Sequence, residues 1–358
     1  MPTVAASSEA KPDRSLTASL LARKLLLTAP DRPRLVILIP RRFGERPVTS
    51  PASQPEDLTD RGYLLTEQAN PASQSLDQLS PLAFVELVNA EDQNTLRAIA
   101  AAKSALAEAI AQTATALRAG GRLFYVGAGT SGRLGVLDAS ECPPTFCTPP
   151  ELVQGLIAGG AAALVRSSEG LEDIAADGER VIHDHRIGPH DVVVGITAGG
   201  TTPYVHGALK AAQQRGAIAI FMACVPPEQV PAHYDVDIRL LVGPEVLAGS
   251  TRLKAGTVTK MALNILSTGV MVQLGKVYGN RMIDVAVTNT KLRDRAIRML
   301  SDLTGLERAA AADLLDRSQQ RVKSALLMHW GELTLAAADA CLEAHQGQLR
   351  LALDSLKK

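Results

Sequence analysis

Two short segments, Gly127-Ala-Gly-Thr-Ser-Gly132 and Thr197-Ala-Gly-Gly-Thr-Thr202, carry the residue types of an anion cradle. Glycines such as Gly129 let backbone approach a ligand closely, and Thr130, Ser131, Thr197, Thr201 and Thr202 add hydroxyl donors. Each segment follows an apolar run with β character, Arg122–Val126 and Asp191–Ile196, and leads into a helical pattern. Both loops therefore belong at the carboxyl ends of strands, where open parallel sheets bind ligands. Helix N-termini there present free N–H groups and the positive end of a dipole. A tight strand-to-helix turn would use the same glycines, but the repeated hydroxyls favour a phosphate cradle. The first loop is not a P-loop, since no Gly-Lys-Ser/Thr follows it. It is a poor dinucleotide fingerprint as well, because no acidic residue ends the second strand to meet a ribose.

A third polar cluster, Gly249-Ser-Thr-Arg-Leu-Lys254, opens a long helical pattern over Thr251–Leu274. Ser250 is the expected N-cap, which places Arg252 and Lys254 in the first turn. Cations oppose the dipole there, so an anion held nearby would explain them. Among carboxylates, Glu141 is expected at the end of the helix after the first loop, just before Pro143-Pro144 stop it. A helix C-terminus disfavours an ionised carboxylate, which suits a proton donor. Glu169, Glu172 and Asp173 are expected on the helix after the second strand, where Glu169 and Glu172 can share a face. Residue physics alone does not single out Glu172 from these solvated acids. His183, His185 and His190 cluster around a helix end and turn, a poor metal set, and no Ser–His–Asp arrangement is legible. Cys142, Cys147, Cys224 and Cys341 are too few in 358 residues for a disulfide framework and read as small buried or loop thiols.

The elements that must hold these residues alternate. After Arg122–Val126 come strands at Leu152–Ile157, Asp191–Ile196, Ala217–Met222 and Val236–Val242, with helices at Ser131–Ala139, Ala162–His183, from Pro203, and Thr251–Leu274. This order predicts an α/β fold: a three-layer αβα sandwich with a five-stranded, mostly parallel sheet. Upstream, Ser80-Pro81 opens a helix and Ala90–Ala116 forms one or two more, ended by Gly120-Gly121. Downstream, Arg298–Leu303, Ala309–Ser318, Val322–Trp330, Ala336–Gln346 and Leu349–Leu356 read as short helices. The expected organisation is a poorly ordered extension over 1–62, N-terminal helices over 63–112, the α/β domain that carries both loops over 113–276, and a small helical domain over 295–358. Within the extension, Leu35–Pro40 is a short apolar segment of strand-like composition.

Composition bounds the partners. Lysine plus arginine and aspartate plus glutamate are both 37, a neutral balance that argues against nucleic acid and against anionic membranes. No apolar run approaches the roughly 18 residues of a membrane span. The Leu20–Leu27 stretch is broken by Arg23 and Lys24 and preceded by Glu9 and Asp13, so it makes a poor signal peptide and the expected address is the cytoplasm.

The segment Gly127–Thr145, with Asn70-Pro-Ala-Ser73 upstream and Ser250–Gly256 downstream, resembles the N-acetylmuramic acid 6-phosphate etherase family. The resemblance runs from about Leu65 to the C-terminus, and its stretches DASECPPT and LVQGLIAGG are long enough to be specific. It implies a sugar-isomerase (SIS) domain with added helices, working as a homodimer with its site near the interface and without metal or cofactor. The activity it implies is cleavage of the lactyl ether of N-acetylmuramic acid 6-phosphate to N-acetylglucosamine 6-phosphate and D-lactate. By the same resemblance, Glu141 of the Ser-Glu-Cys tripeptide is the proton donor and Glu172 of Glu-Gly-Leu-Glu-Asp is the second catalytic glutamate. Thr130, Ser131 and Lys254 fall on substrate-contacting positions. One departure stands out: family members often carry Ser-Gly-Arg-Thr where this chain has Gly199-Gly-Thr-Thr202, without the arginine. A non-catalytic sugar-phosphate sensor would keep both loops and need neither glutamate. An aldose–ketose isomerase would remove the C2 hydrogen but need no acid at C3.

Overall fold

The computed structural model describes residues 60–166 and 170–357. The expected extension up to Thr59, with Leu35–Pro40, and Glu169 lie outside the described residues. Five strands form one all-parallel sheet: β1 (Leu123–Gly127), β2 (Val153–Ile157), β3 (Val192–Thr197), β4 (Ile218–Ala223) and β5 (Val236–Arg239), in the order β2-β1-β3-β4-β5. Val192, Val193 and Val194 are fully buried, as a strand covered on both faces requires. β5 is shorter than the apolar run through Val242 suggested.

The helices divide between the two faces. One face is covered by α1 (Pro81–Ala101), α2 (Lys103–Arg118), α3 (Gly129–Phe146) and α6 (Lys254–Gln273), which pack with Leu123, Tyr125, Val194 and Ile196. The other is covered by α4 (Ala175–Asp184) and α5 (Pro203–Gln214), packed with Phe124, Val126 and Val193. Alternate residues of β1 thus serve opposite layers. α1 begins as expected, with the Ser80 hydroxyl accepting from the Ala83 N–H and Pro81 in the first turn.

Three local expectations fail. Pro143 and Pro144 do not stop α3; the helix runs on to Phe146 and ends at Cys147, whose φ of 52° is left-handed. Each proline leaves the carbonyl four residues earlier without its N–H partner, and α3 keeps its helical course past that loss for its last residues. The helix expected over Ala162–His183 is broken: a 3-10 turn spans Gly160–Leu164, and α4 begins only at Ala175. Glu172 therefore lies in a turn, not on a helix. Ser250 does not cap α6, which starts at Lys254 with Leu253 at the cap position.

Beyond the sheet, a hairpin of β6 (Val277–Tyr278) and β7 (Arg281–Met282) precedes α7 (Thr290–Thr304), α8 (Arg308–Arg317), α9 (Val322–Trp330), α10 (Leu335–Ala344) and α11 (Leu349–Leu356). These helices bury their own core around Leu300, Leu315, Leu326 and Ala352.

Candidate active site

Strand order reverses between β1 and β3: from β1 the chain crosses to β2 on one side, then returns to β3 on the other. The two ribbons diverge there, and a crevice opens beyond their carboxyl ends. A cavity of about 250 Å³ fills it. Its lining includes Gly129, Thr130 and Ser131 from the first loop, and Thr197, Gly199, Thr201 and Thr202 from the second. The doubled Gly/Thr pattern converges on one space because β1 and β3 are adjacent and in register, Gly127 opposite Ile196.

The loops offer anion donors differently. Ala128, at the cap of α3, offers no side-chain acceptor, and Gly129, Thr130 and Ser131 line the cavity, so the first turn of α3 leaves N–H groups without a cap partner at its wall. Glycines make this approach possible: a Cβ on Gly132 would come within 2.6 Å of the Gly127 carbonyl oxygen. The start of α5 does not match that expectation. Pro203 has no N–H, and the Tyr204 N–H donates at 3.0 Å to the Glu172 carbonyl. Donors on this side belong to the loop before the helix. That loop is braced by a 2.8 Å bond between the Thr197 and Thr202 hydroxyls and by His206 Nε2 at 2.6 Å from the Gly200 carbonyl. His206 in turn meets the Tyr234 hydroxyl through Nδ1 at 2.8 Å.

Glu172 lines the cavity. Its turn is fixed by the Tyr204 bond, which couples the acid to the first turn of α5. Glu141 is not among the lining residues; its side chain is exposed on α3. Ten residues separate it from Ser131, about 15 Å along a helix. Leu137, one turn earlier on the same face, is also exposed.

Lys254 and Ser250 lie outside the lining as well. Lys254 is 1% exposed, and its ammonium pairs with Glu91. Asn70, of the Asn-Pro-Ala-Ser motif, donates to the same Glu91 oxygen at 2.7 Å. Burial pushes the Glu91 carboxyl up, but the Lys254 and Asn70 hydrogen bonds outweigh it and hold it below its ordinary value. The anion expected at the start of α6 belongs to the chain itself. Buried Glu245 accepts from the N–H groups of Lys254 at 3.0 Å and Ala255 at 2.9 Å. Its own carboxyl is raised by burial, which those two bonds offset only in part. Burial also pushes the Cys142 thiol up to about 12, which leaves it a packing residue.

The cavity contains residues not named as site residues from the sequence: Arg61, Glu67, Thr251, Gly256 and Thr259. Thr251, Gly256 and Thr259 could have been found from the start of α6. Arg61 and Glu67 precede every motif, and only the fold brings them in. Leu64 is 2% exposed in the core shared with α4 and α5, and Gln229 ties its neighbours down by accepting from the Leu65 N–H and donating to the Tyr63 carbonyl.

A parallel five-stranded sheet with hydroxyl-rich loops at its switch point is an α/β domain of the SIS class. The family model described as glucokinase regulatory protein N-terminal SIS domain matches residues 105–213, and that of the C-terminal lid domain of glucokinase regulatory protein matches residues 279–327. The chain belongs to the N-acetylmuramic acid 6-phosphate etherase family. It is 70% identical over 301 residues to the protein of that name from Nostoc sp., covering 84% of this chain and 98% of the relative. The relatives of the same name from Synechocystis sp. and Picosynechococcus sp. are 70% and 72% identical over 300 and 295 residues, covering 84% and 82% of this chain and 98% of each relative.

Proposed function

We propose that this protein is a carbon–oxygen lyase that cleaves the lactyl ether of N-acetylmuramic acid 6-phosphate, in amino-sugar and cell-wall recycling. The carrying observation is that Glu172 and both hydroxyl-rich loops line a single cavity, in a chain about 70% identical to etherases. The loops, with Gly129, Thr130, Ser131, Thr197, Thr201 and Thr202, hold the phosphosugar. The other two expected substrate contacts stand apart from these loops: Lys254 is paired with Glu91, and Ser250 lies outside the lining.

The reaction runs on the open-chain aldehyde, whose carbonyl acidifies the C2 hydrogen. Glu172 removes that proton and leaves an enolate. The enolate then expels lactate from C3 as an acid, Glu141, protonates the ether oxygen. Water adds at C3 of the unsaturated aldehyde with Glu141 now as base, and C2 is reprotonated. The products are N-acetylglucosamine 6-phosphate and D-lactate, and two carboxylates in different surroundings suit the two roles.

Glu141 reaches a cavity in this scheme only from a second copy of the chain. We infer a homodimer in which α3 of one protomer approaches the cavity of its partner. Supporting this are Leu82, Val85 and Leu96 on α1 and Leu137 beside Glu141, all exposed apolar side chains. The four cysteines are unpaired, which fits the reducing cytoplasm. No described helix is long and apolar enough to cross a membrane.

Incubation of the folded protein with N-acetylmuramic acid 6-phosphate should release D-lactate, measured enzymatically. Absence of lactate would remove the lyase reading, and conversion to a ketose without lactate would indicate an isomerase.

A further inference from the structure

An etherase substrate of this kind is a dianion at one end and a carboxylate at the other. Yet the Thr197–Thr202 loop carries no charged side chain, and neither does Gly129–Ser131. Three charged residues line the cavity: Glu67 and Glu172, both acids, and Arg61. Loops and acids alone offer the phosphate no cationic side chain. Lys254 does not relieve this, because it is buried and paired with Glu91. Arg252 is exposed and outside the lining.

We propose that Arg61 binds the 6-phosphate group, supplying from the segment before the sheet domain the guanidinium that the second loop lacks. Three observations carry this. Arg61 lines the same cavity as Gly199, Thr201 and Thr202. Its backbone is held: the Arg61 carbonyl accepts from the N–H of buried Leu64 at 2.9 Å. Gln229 binds the chain on either side of Leu64, at Tyr63 and Leu65. The same segment lies against the second loop, where a Cβ on Gly199 would sit 3.5 Å from the Thr66 hydroxyl. The described residues give Arg61 no carboxylate partner, and its side chain is exposed, so the guanidinium is available to a ligand. A guanidinium matches phosphate with two parallel N–H donors, which hydroxyls and backbone N–H groups then complete.

This inference rests on the proposed function, and the test separates the two. The full-length protein and its Arg61→Ala and Arg61→Lys variants are compared by calorimetry with N-acetylglucosamine 6-phosphate and with N-acetylglucosamine. Kinetics on N-acetylmuramic acid 6-phosphate run alongside, with circular dichroism to confirm folding. The expected result is that Arg61→Ala weakens the phosphorylated sugar about 10- to 100-fold and leaves the unphosphorylated sugar unchanged. Arg61→Lys should recover part of the loss, since it keeps the charge without the fork. Unchanged affinity for the phosphorylated sugar in Arg61→Ala overturns the proposal. If that affinity holds while KM for N-acetylmuramic acid 6-phosphate rises, the guanidinium meets the lactyl carboxylate instead, and the phosphate assignment is overturned. A wild-type protein that releases no D-lactate removes the functional reading itself, a different outcome from a variant that matches wild type.

Discussion

Glu172 and Glu141 are the same residue type in different settings, and their substitutions should separate the half-reactions. With Glu141→Gln, exchange of the C2 hydrogen with solvent deuterium should persist, followed by NMR, while D-lactate release falls by at least about 100-fold. With Glu172→Gln, both should be lost. Retention of exchange in Glu172→Gln with its loss in Glu141→Gln would reverse the assignment. A second residue-scale prediction concerns acid stability. Glu91 and Asp191 are both pushed up by burial but held lower overall, Glu91 by Lys254 and Asn70, Asp191 by Arg122 and the Gly188 N–H. A carboxylate lowered in the folded state adds stability that is complete above its ordinary value, about 4, and is lost as pH falls through the lowered one. Glu91→Gln and Asp191→Asn should each flatten the acid limb of a stability-versus-pH curve, measured by urea unfolding. Equal slopes in wild type and variants would contradict this.

At the scale of elements, α4 and α5 touch backbone to backbone. A Cβ on Gly207 would come within 2.2 Å of the Ala175 carbonyl oxygen, and one on Gly178 within 1.9 Å of the Tyr204 carbonyl oxygen. Ala175 begins α4 three residues after Glu172, and Tyr204 holds the Glu172 carbonyl, so this contact sets the height of the Glu172 turn. Gly207→Ala should cost about 1–3 kcal/mol by overpacking and lower Tm by several degrees. It should also lower kcat more than it raises KM, because the turn moves while the loops stay. A variant that loses stability at unchanged kcat would show that the turn is positioned by other contacts.

At the scale of the whole molecule, the separation of Glu141 from its own cavity predicts shared sites. Chains carrying Glu141→Gln and Glu172→Gln should each be inactive alone. After co-refolding, half the dimers are mixed, and each mixed dimer has one intact site in two, so about a quarter of wild-type activity should return. No recovery, with dimers present by sedimentation, would mean that both glutamates act within one chain. Lysine at Leu82 and Val85 should shift the protein toward monomer and make activity depend on concentration.

The alternation of apolar runs and helical patterns was enough to read the parallel sheet, its five strands and the two hydroxyl-rich loops, because periodicity and glycine placement are local signals. Family motifs added Glu141 and Glu172, which residue physics did not separate from other acids. Tertiary structure decided what depends on chain segments distant in sequence. It placed Arg61 and Glu67 over the second loop through a Leu64 anchor. It turned Lys254 inward to Glu91 and gave the start of α6 to Glu245, 9 residues upstream of Lys254. Charge pattern had suggested a ligand anion there, since a sequence shows a cation near a helix start but not the carboxylate that folds back to meet it. Nor could it show that Glu141 would stay outside the cavity that Glu172 lines. Local spacing determined which residues can do the chemistry; only packing across the sheet decided which of them meet.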